Sequence, residues 1–180
     1  MPTLSDDANR RFDFAKALLA RATVATLEED WRSLAEGAVA FSFASLEGVL
    51  SEIFEHFTSN RVESDIFEQA IMNESAVKLQ RGRPVLGRQQ FQSIDDRLQY
   101  LFWKFSGSEF DTQSIWWPSF AQAVQLRNNI MHPKGPCSLE LADAEQAVRA
   151  VLNAIDALMQ VVFKKPWPKA SKGLIPSTSI

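Results

Sequence analysis

The clearest helical periodicity in the chain lies in Val39-Ala40-Phe41-Ser42-Phe43-Ala44-Ser45-Leu46-Glu47-Gly48-Val49-Leu50-Ser51-Glu52-Ile53-Phe54-Glu55-His56-Phe57. Its large apolar residues follow one another in alternating steps of four and three, at Val39, Phe43, Leu46, Leu50, Ile53 and Phe57. That spacing puts them on one side of an α-helix, where they can pack against neighbouring helices. Ala44, Ser45 and Gly48 lie beside this seam and permit close approach of another backbone. We therefore predict a central helix over about residues 27–57.

Helical spacing recurs in five further segments. It predicts helices that end near Ala22, cover 62–79 with a weaker pattern, run from Ser93 to about Ser106, and cover 120–131 and 139–163. Ser93 and Asp96 fit a capping box. The Gly and Pro content of residues 80–90 predicts a loop. The fold class indicated is all-α, a bundle of helices.

Composition indicates one folded domain. The chain has 180 residues, 46% of them apolar, with 13 Phe and 5 Trp for a core. The single cysteine, Cys137, cannot form an internal disulfide, no secretory leader is visible, and the longest apolar runs are shorter than the ~18 residues of a membrane span. We expect a soluble cytoplasmic protein without a membrane partner. Residues 1–163 are predicted to form the domain, and the Lys, Pro and Ser content of 164–180 predicts a flexible tail.

The net charge of −3 lacks the strong basic signature of a dedicated nucleic-acid binder. Positive charge is nevertheless concentrated locally, because Lys78, Arg81, Arg83 and Arg88 form a run without acids. If RNA is bound, these residues are the expected contacts with its backbone.

The segment Gln125-Leu126-Arg127-Asn128-Asn129-Ile130-Met131-His132-Pro133 carries the chain's most reactive combination of side chains. At about 100° per residue, Arg127 falls near the centre of an apolar stripe, where a permanent cation needs an anion or a partner. Pro133 disfavours the α conformation at His132, so the helix should end there. An arginine, an amide and an imidazole are thus predicted at one helix end.

The string Arg127-Asn128-x3-His132, with an aliphatic helix before it, resembles the Arg-x4-6-His signature of HEPN domains. The earlier helix with Ala44-Ser45-Leu46-Glu47-Gly48 also looks like this family, and the resemblance covers roughly residues 35–163. HEPN domains are up-and-down helical bundles, and many are metal-independent endoribonucleases of toxin–antitoxin and defence systems. Additional N-terminal and connecting helices are expected here.

The resemblance implies roles for particular residues. His132 would be the acid and base, Arg127 the phosphate clamp, Asn128 an orienting donor, and Glu47 an auxiliary acid that orients one of them. Lys78, Arg81, Arg83, Arg88 and Lys134 would contact RNA. HEPN enzymes bring two motifs into one cleft by dimerising, which implies a homodimer, with an antitoxin or regulatory protein as a possible further partner.

Other interpretations remain open at this stage. Arg127 and His132 could be an ordinary snorkelling arginine and a helix-end histidine, and the domain could be a non-catalytic HEPN-like module that binds a nucleotide, RNA or protein. Glu47 could be a solvated glutamate, and Trp116 and Trp117 are expected to pack rather than stack on bases. No Cys/His spacing suits a metal and no Gly-rich phosphate loop is visible, so no metal site and no cofactor are predicted.

Overall fold

Six α-helices make up most of the chain in the computed structural model, which describes residues 6–58, 65–133, 135 and 138–176. They are α1 (Asp6–Ala22), α2 (Glu28–Thr58), α3 (Ile66–Met72), α4 (Ile94–Ser106), α5 (Trp117–Met131) and α6 (Leu141–Phe163). An antiparallel hairpin of β1 (Ser75–Gln80) and β2 (Arg83–Gln89) separates α3 from α4, and a short 3-10 turn covers Ala170–Lys172. The expectation of a mostly helical protein is confirmed.

The predicted central helix is α2, and it lies within one residue of the expected bounds. The seam residues from Val39 to Ile53 are at most 1% exposed, and they pack with the buried side of α6. The small residues beside the seam receive α1: Ser45 Oγ donates a hydrogen bond to the Ala8 carbonyl at 2.7 Å, and a Cβ on Gly48 would lie 3.5 Å from that of Ala8. The backbone that approaches α2 closely at these small residues is therefore that of α1.

Both ends of α4 follow the predicted signals. Ser93 is the N-cap, and its hydroxyl accepts the Asp96 N–H at 3.2 Å. Gly107 ends the helix with φ 72°, a left-handed conformation that glycine adopts without a Cβ penalty. Ser93 and Gly107 are thus sufficient to fix this helix locally.

The predicted helix over 62–79 and loop over 80–90 are wrong for the described residues. Only Ile66–Met72 is helical, and the rest is the β1–β2 hairpin; residues 62–64 lie outside the described chain. Arg81 and Gly82 have φ of 51° and 77°, which is the type I′ geometry of two-residue hairpin turns. Pro84 and Gly87 suggested a loop, but both are tolerated in an isolated two-stranded ribbon, where each strand is an edge.

The predicted flexible tail also differs from the structure over residues 164–176. Trp167 is 1% exposed, with its ring 5.0 Å from that of Phe12 and its Nε1 donating to Asn9 Oδ1 at 3.2 Å. Lys169 forms an ion pair with Asp13. This part of the tail therefore belongs to the core beside α1, whereas 177–180 lie outside the described residues.

Two helices, α2 and α6, are long and apolar enough to cross a membrane by length and composition alone. In each, half of the relevant window is buried inside the protein. Burial of this kind is also what core helices of bundles show, because their apolar sides face one another.

Candidate active site at the end of α5

Aromatic packing fixes the position of α5. Phe120 is fully buried, with its ring 6.1 Å from that of Phe43 on α2. Before it, Trp116 stacks on Phe102 at 5.6 Å and Trp117 meets Phe110 edge-on at 4.7 Å. The two tryptophans therefore hold the start of α5 against the bundle, as expected from the sequence, and the far end of the helix carries the polar motif.

The helix ends where Pro133 predicted. Met131 is the last helical residue, and His132 has φ −136° and ψ 64° while its backbone N–H still donates to the Asn128 carbonyl at 2.9 Å. The His132 side chain is exposed. Among the described residues it makes no hydrogen bond or ion pair, so both ring nitrogens are available to a ligand.

Arg127 is held from two sides. Its Nη2 lies 3.2 Å from Glu47 Oε1 on α2, and its Nη1 lies 3.1 Å from Asn128 Oδ1 on the neighbouring residue. The side chain is 28% exposed and that of Glu47 is 43% exposed. Glu47, Arg127 and Asn128, all predicted site residues, are thus brought together, with Glu47 orienting the arginine rather than the histidine.

The Arg127 guanidinium has more N–H donors than its contacts with Glu47 and Asn128 use. Arginine has five N–H groups, and the contacts with Glu47 and Asn128 use one nitrogen each. The exposed part of Arg127 can therefore still donate to an anion such as a phosphate, for which a planar fork is well suited. The Glu47 carboxylate fixes the orientation of that fork at the protein surface.

Within the described chain, no hydrogen bond joins Arg127 to His132. The two residues are five apart, roughly 140° around a straight helix, although the chain leaves the helical path at His132. Arg127 lies on the face of α5 directed toward α2, and His132 lies at the tip. One chain therefore presents the cation and the imidazole on adjoining surfaces.

The predicted RNA contacts lie elsewhere in the fold. Lys78, Arg81, Arg83 and Arg88 are exposed on the β1–β2 hairpin, an element that sequence reasoning did not foresee. Lys134 lies outside the described residues. The hairpin cations and the α5 motif are thus two separate features of the protein.

Charged residues that the sequence reasoning passed over occupy buried positions. Lys16 on α1 is 0% exposed, and its Nζ donates to the Ile175 carbonyl at 3.5 Å. Burial lowers the pKa of Lys16, the nearby Asp13 raises it, and Lys169 and Lys172 lower it. The sequence does contain a signal for this burial, because Lys16 follows Phe12 by four residues and precedes Leu19 by three, on the same side of the helix.

Two largely buried ion pairs connect α4 to α3 and to Glu74, the residue before β1. Glu68 pairs with Lys104, and Arg97 Nη1 lies 3.3 Å from Glu74 Oε1. Both pairs are formed between α4 and the segment that was mispredicted, so their partners could not be matched from the sequence. These ion pairs attach the hairpin segment to the bundle.

Neither a metal site among the described residues nor a similar known protein indicates the chemistry of this site. In the described part of the chain, no group of three or more His, Cys, Asp and Glu residues is placed to hold a metal ion. The sequence matches no protein-family model, and searches of curated proteins and of solved structures find no match.

Proposed function

We propose that the protein is an endoribonuclease of the HEPN type that works without a metal ion. The observation that carries this proposal is the Arg127 guanidinium, fixed by Glu47 and Asn128 with donors to spare, at the end of a helix whose next residue is an exposed histidine. A forked cation can hold the phosphate of an RNA phosphodiester, and a free imidazole can move the protons that its cleavage transfers.

The reaction would proceed by attack of a ribose 2′-oxygen on the adjacent phosphorus. The His132 imidazole would accept the 2′-hydroxyl proton and deliver a proton to the departing 5′-oxygen. The P–O bond to the 2′-oxygen forms as the bond to the 5′-oxygen breaks, which leaves a 2′,3′-cyclic phosphate and a 5′-hydroxyl. No oxidant, metal or water is consumed in this step.

Arg127 would stabilise the charge on the non-bridging phosphate oxygens. Hydrogen bonds from a fixed guanidinium strengthen as negative charge develops in the transition state, so pre-orientation by Glu47 contributes to the rate. Asn128 fixes the second guanidinium nitrogen through its Oδ1 and leaves its own amide group for the RNA.

The proposal includes a homodimer. The angular separation of Arg127 and His132 on one chain favours a cleft in which the histidine of one copy approaches the arginine of the other. Met131, which is 49% exposed between these residues, supplies apolar surface for such a contact. An antitoxin or other regulatory protein would act by covering the same cleft.

A non-catalytic binding module is the second candidate. The Glu47–Arg127 contact is equally compatible with it, because an ion pair that merely joins α2 to α5 would have the same geometry. The net charge of −3 favours it. In that case the end of α5 would bind a ligand without cleaving it.

Cleavage assays separate the two candidates. Purified protein is incubated with single-stranded RNA in excess chelator beside His132→Ala and Arg127→Ala, with His56→Ala as the matched control because it removes the chain's other histidine. We expect His132→Ala and Arg127→Ala to cleave RNA at least about 100-fold more slowly than wild type. His56→Ala should cleave at the wild-type rate. Products should end in a cyclic phosphate. Equal cleavage by all four proteins would rule out this site, and a folded wild type that cleaves no RNA would rule out the nuclease and leave the binding module as the remaining candidate.

A further inference from the structure

The β1–β2 hairpin concentrates positive charge that the protein does not neutralise. Residues 75–92 hold four of the chain's 19 basic residues and none of its 22 acidic ones. These four, Lys78, Arg81, Arg83 and Arg88, are exposed and form no ion pair with a described residue. On the helices, by contrast, Arg10, Arg32 and Arg149 each pair with a carboxylate one turn away, whereas the exposed Arg21 forms no ion pair with a described residue.

The strand register divides the hairpin into two faces. Cross-strand partners and alternate residues share a face of an antiparallel ribbon. Leu79, Pro84 and Leu86 lie on one face, and Lys78 and Arg83 lie on the other. Leu79 is 77% exposed and Leu86 is 37% exposed, so the apolar face is open to solvent. The hairpin therefore carries cations on one face and exposed apolar side chains on the opposite face.

The turn at the tip carries a residue that local stability would not select. Arg81 occupies the first central position of the type I′ turn with φ 51°, where Asn, Asp or Gly is favoured. A left-handed conformation is unfavourable for a residue with a side chain. Arg81 forms no side-chain hydrogen bond or ion pair with a described residue that would offset this cost. A ligand outside the chain that binds the Arg81 side chain would explain why an arginine occupies this position.

We propose that the β1–β2 hairpin binds single-stranded RNA, with Lys78, Arg81, Arg83 and Arg88 on the phosphates. The choice of RNA rests on the proposed function, and the choice of a polyanion rests on four cations without a single acid. Bases that are not paired can pack on the apolar face and on Phe91, which is 81% exposed two residues after β2. The hairpin would thus hold the strand whose backbone is cut at α5.

Binding is tested on the full chain with His132→Ala, so that cleavage does not enter the measurement. Fluorescence anisotropy with labelled oligouridylate is compared for this protein and for the same protein with all four hairpin cations changed to Gln. The matched control changes Arg10, Arg21, Arg32 and Arg149 to Gln, an equal loss of charge on exposed and partly exposed helix positions. Four phosphate contacts predict a salt-dependence slope lower by about 3 in the hairpin variant, and an affinity at low salt lower by at least tenfold.

Arg81→Asn tests the tip without endangering the turn. Asn suits the left-handed position, so cross-strand amide exchange should slow while RNA affinity falls several-fold. Equal loss of affinity in the hairpin variant and the matched control would overturn the inference. So would hairpin-dependent binding to phosphatidylserine vesicles but not to oligouridylate. Wild type that fails to cleave RNA, while its binding still depends on the hairpin, would overturn only the proposed nuclease.

Discussion

Glu47 on α2 and Arg127 on α5 are 80 residues apart in the chain and are joined by a 3.2 Å contact between Oε1 and Nη2. Both side chains are partly exposed, so the pair is at the surface, where ion pairs stabilise a fold by ~0–1 kcal/mol. Such a contact contributes little to folding. Its main effect is to fix the direction of the guanidinium.

A change at Glu47 should therefore affect cleavage more than stability. We expect Glu47→Gln to lower the rate of RNA cleavage about tenfold through loss of the charge-assisted contact, while the free energy of unfolding changes by less than about 1 kcal/mol. Initial rates and urea denaturation measure the two effects. Glu145→Gln, which breaks the exposed pair with Arg149, is the control. A large drop in stability with unchanged cleavage would make Glu47 a purely structural residue.

The Glu68–Lys104 pair should be worth more to the fold. Glu68 is 4% exposed, so Lys104→Met leaves a buried carboxylate without its cation and should cost about 3 kcal/mol of unfolding free energy. The double variant Glu68→Leu, Lys104→Met should recover most of that loss, since an apolar pair needs no desolvation of charge. Denaturation of the two proteins measures this. A double variant no better than Lys104→Met would show that the loss comes from packing.

Lys16 should make stability depend on alkaline pH. Its pKa in the fold is lowered by burial from 10.5, so the unfolded chain binds more protons between the two values and the wild type gains stability as pH rises through that window. Below this pH window, Lys16 is protonated in both the folded and the unfolded chain, and its buried charge destabilises the fold. We expect Lys16→Met to stabilise by about 1 kcal/mol at neutral pH. That advantage should shrink toward pH 10.5, measured by denaturation at several pH values.

The segment after α6 should contribute to the core. Trp167→Ala removes a ring that packs on Phe12 and is expected to cost about 3–5 kcal/mol of unfolding free energy. Ile175→Ala is the control, because that side chain is 72% exposed. Thermal and urea denaturation should separate the two variants clearly. Equal stability of Trp167→Ala and wild type would restore the interpretation of 164–180 as a detached tail.

The features that the sequence predicts correctly are those that depend on signals within a few residues of one another. The seam from Val39 to Ile53 fixed the central helix because helical period and burial coincide there. Ser93 and Gly107 gave both ends of α4, and Pro133 gave the end of α5, since caps and proline act within one turn. The candidate residues Arg127, Asn128 and His132 are also neighbours in sequence, so their proximity needed no fold.

The remaining features depend on partners far away in the chain. The hairpin lies where isolated propensities suggested helix and loop, and α4 anchors it through Arg97 and Lys104, whose partners Glu74 and Glu68 are more than 20 residues distant. Trp167 looks like part of a polar tail until Phe12 and Asn9 are placed beside it. Glu47 became a partner of Arg127 only when α2 and α5 packed. Sequence alone determined five of the six described helices, the caps of α4, the end of α5 and the α5 motif, because period and capping are local. Tertiary packing decided the hairpin, the buried C-terminal segment and the orientation of the arginine, because each needs side chains that only folding brings together.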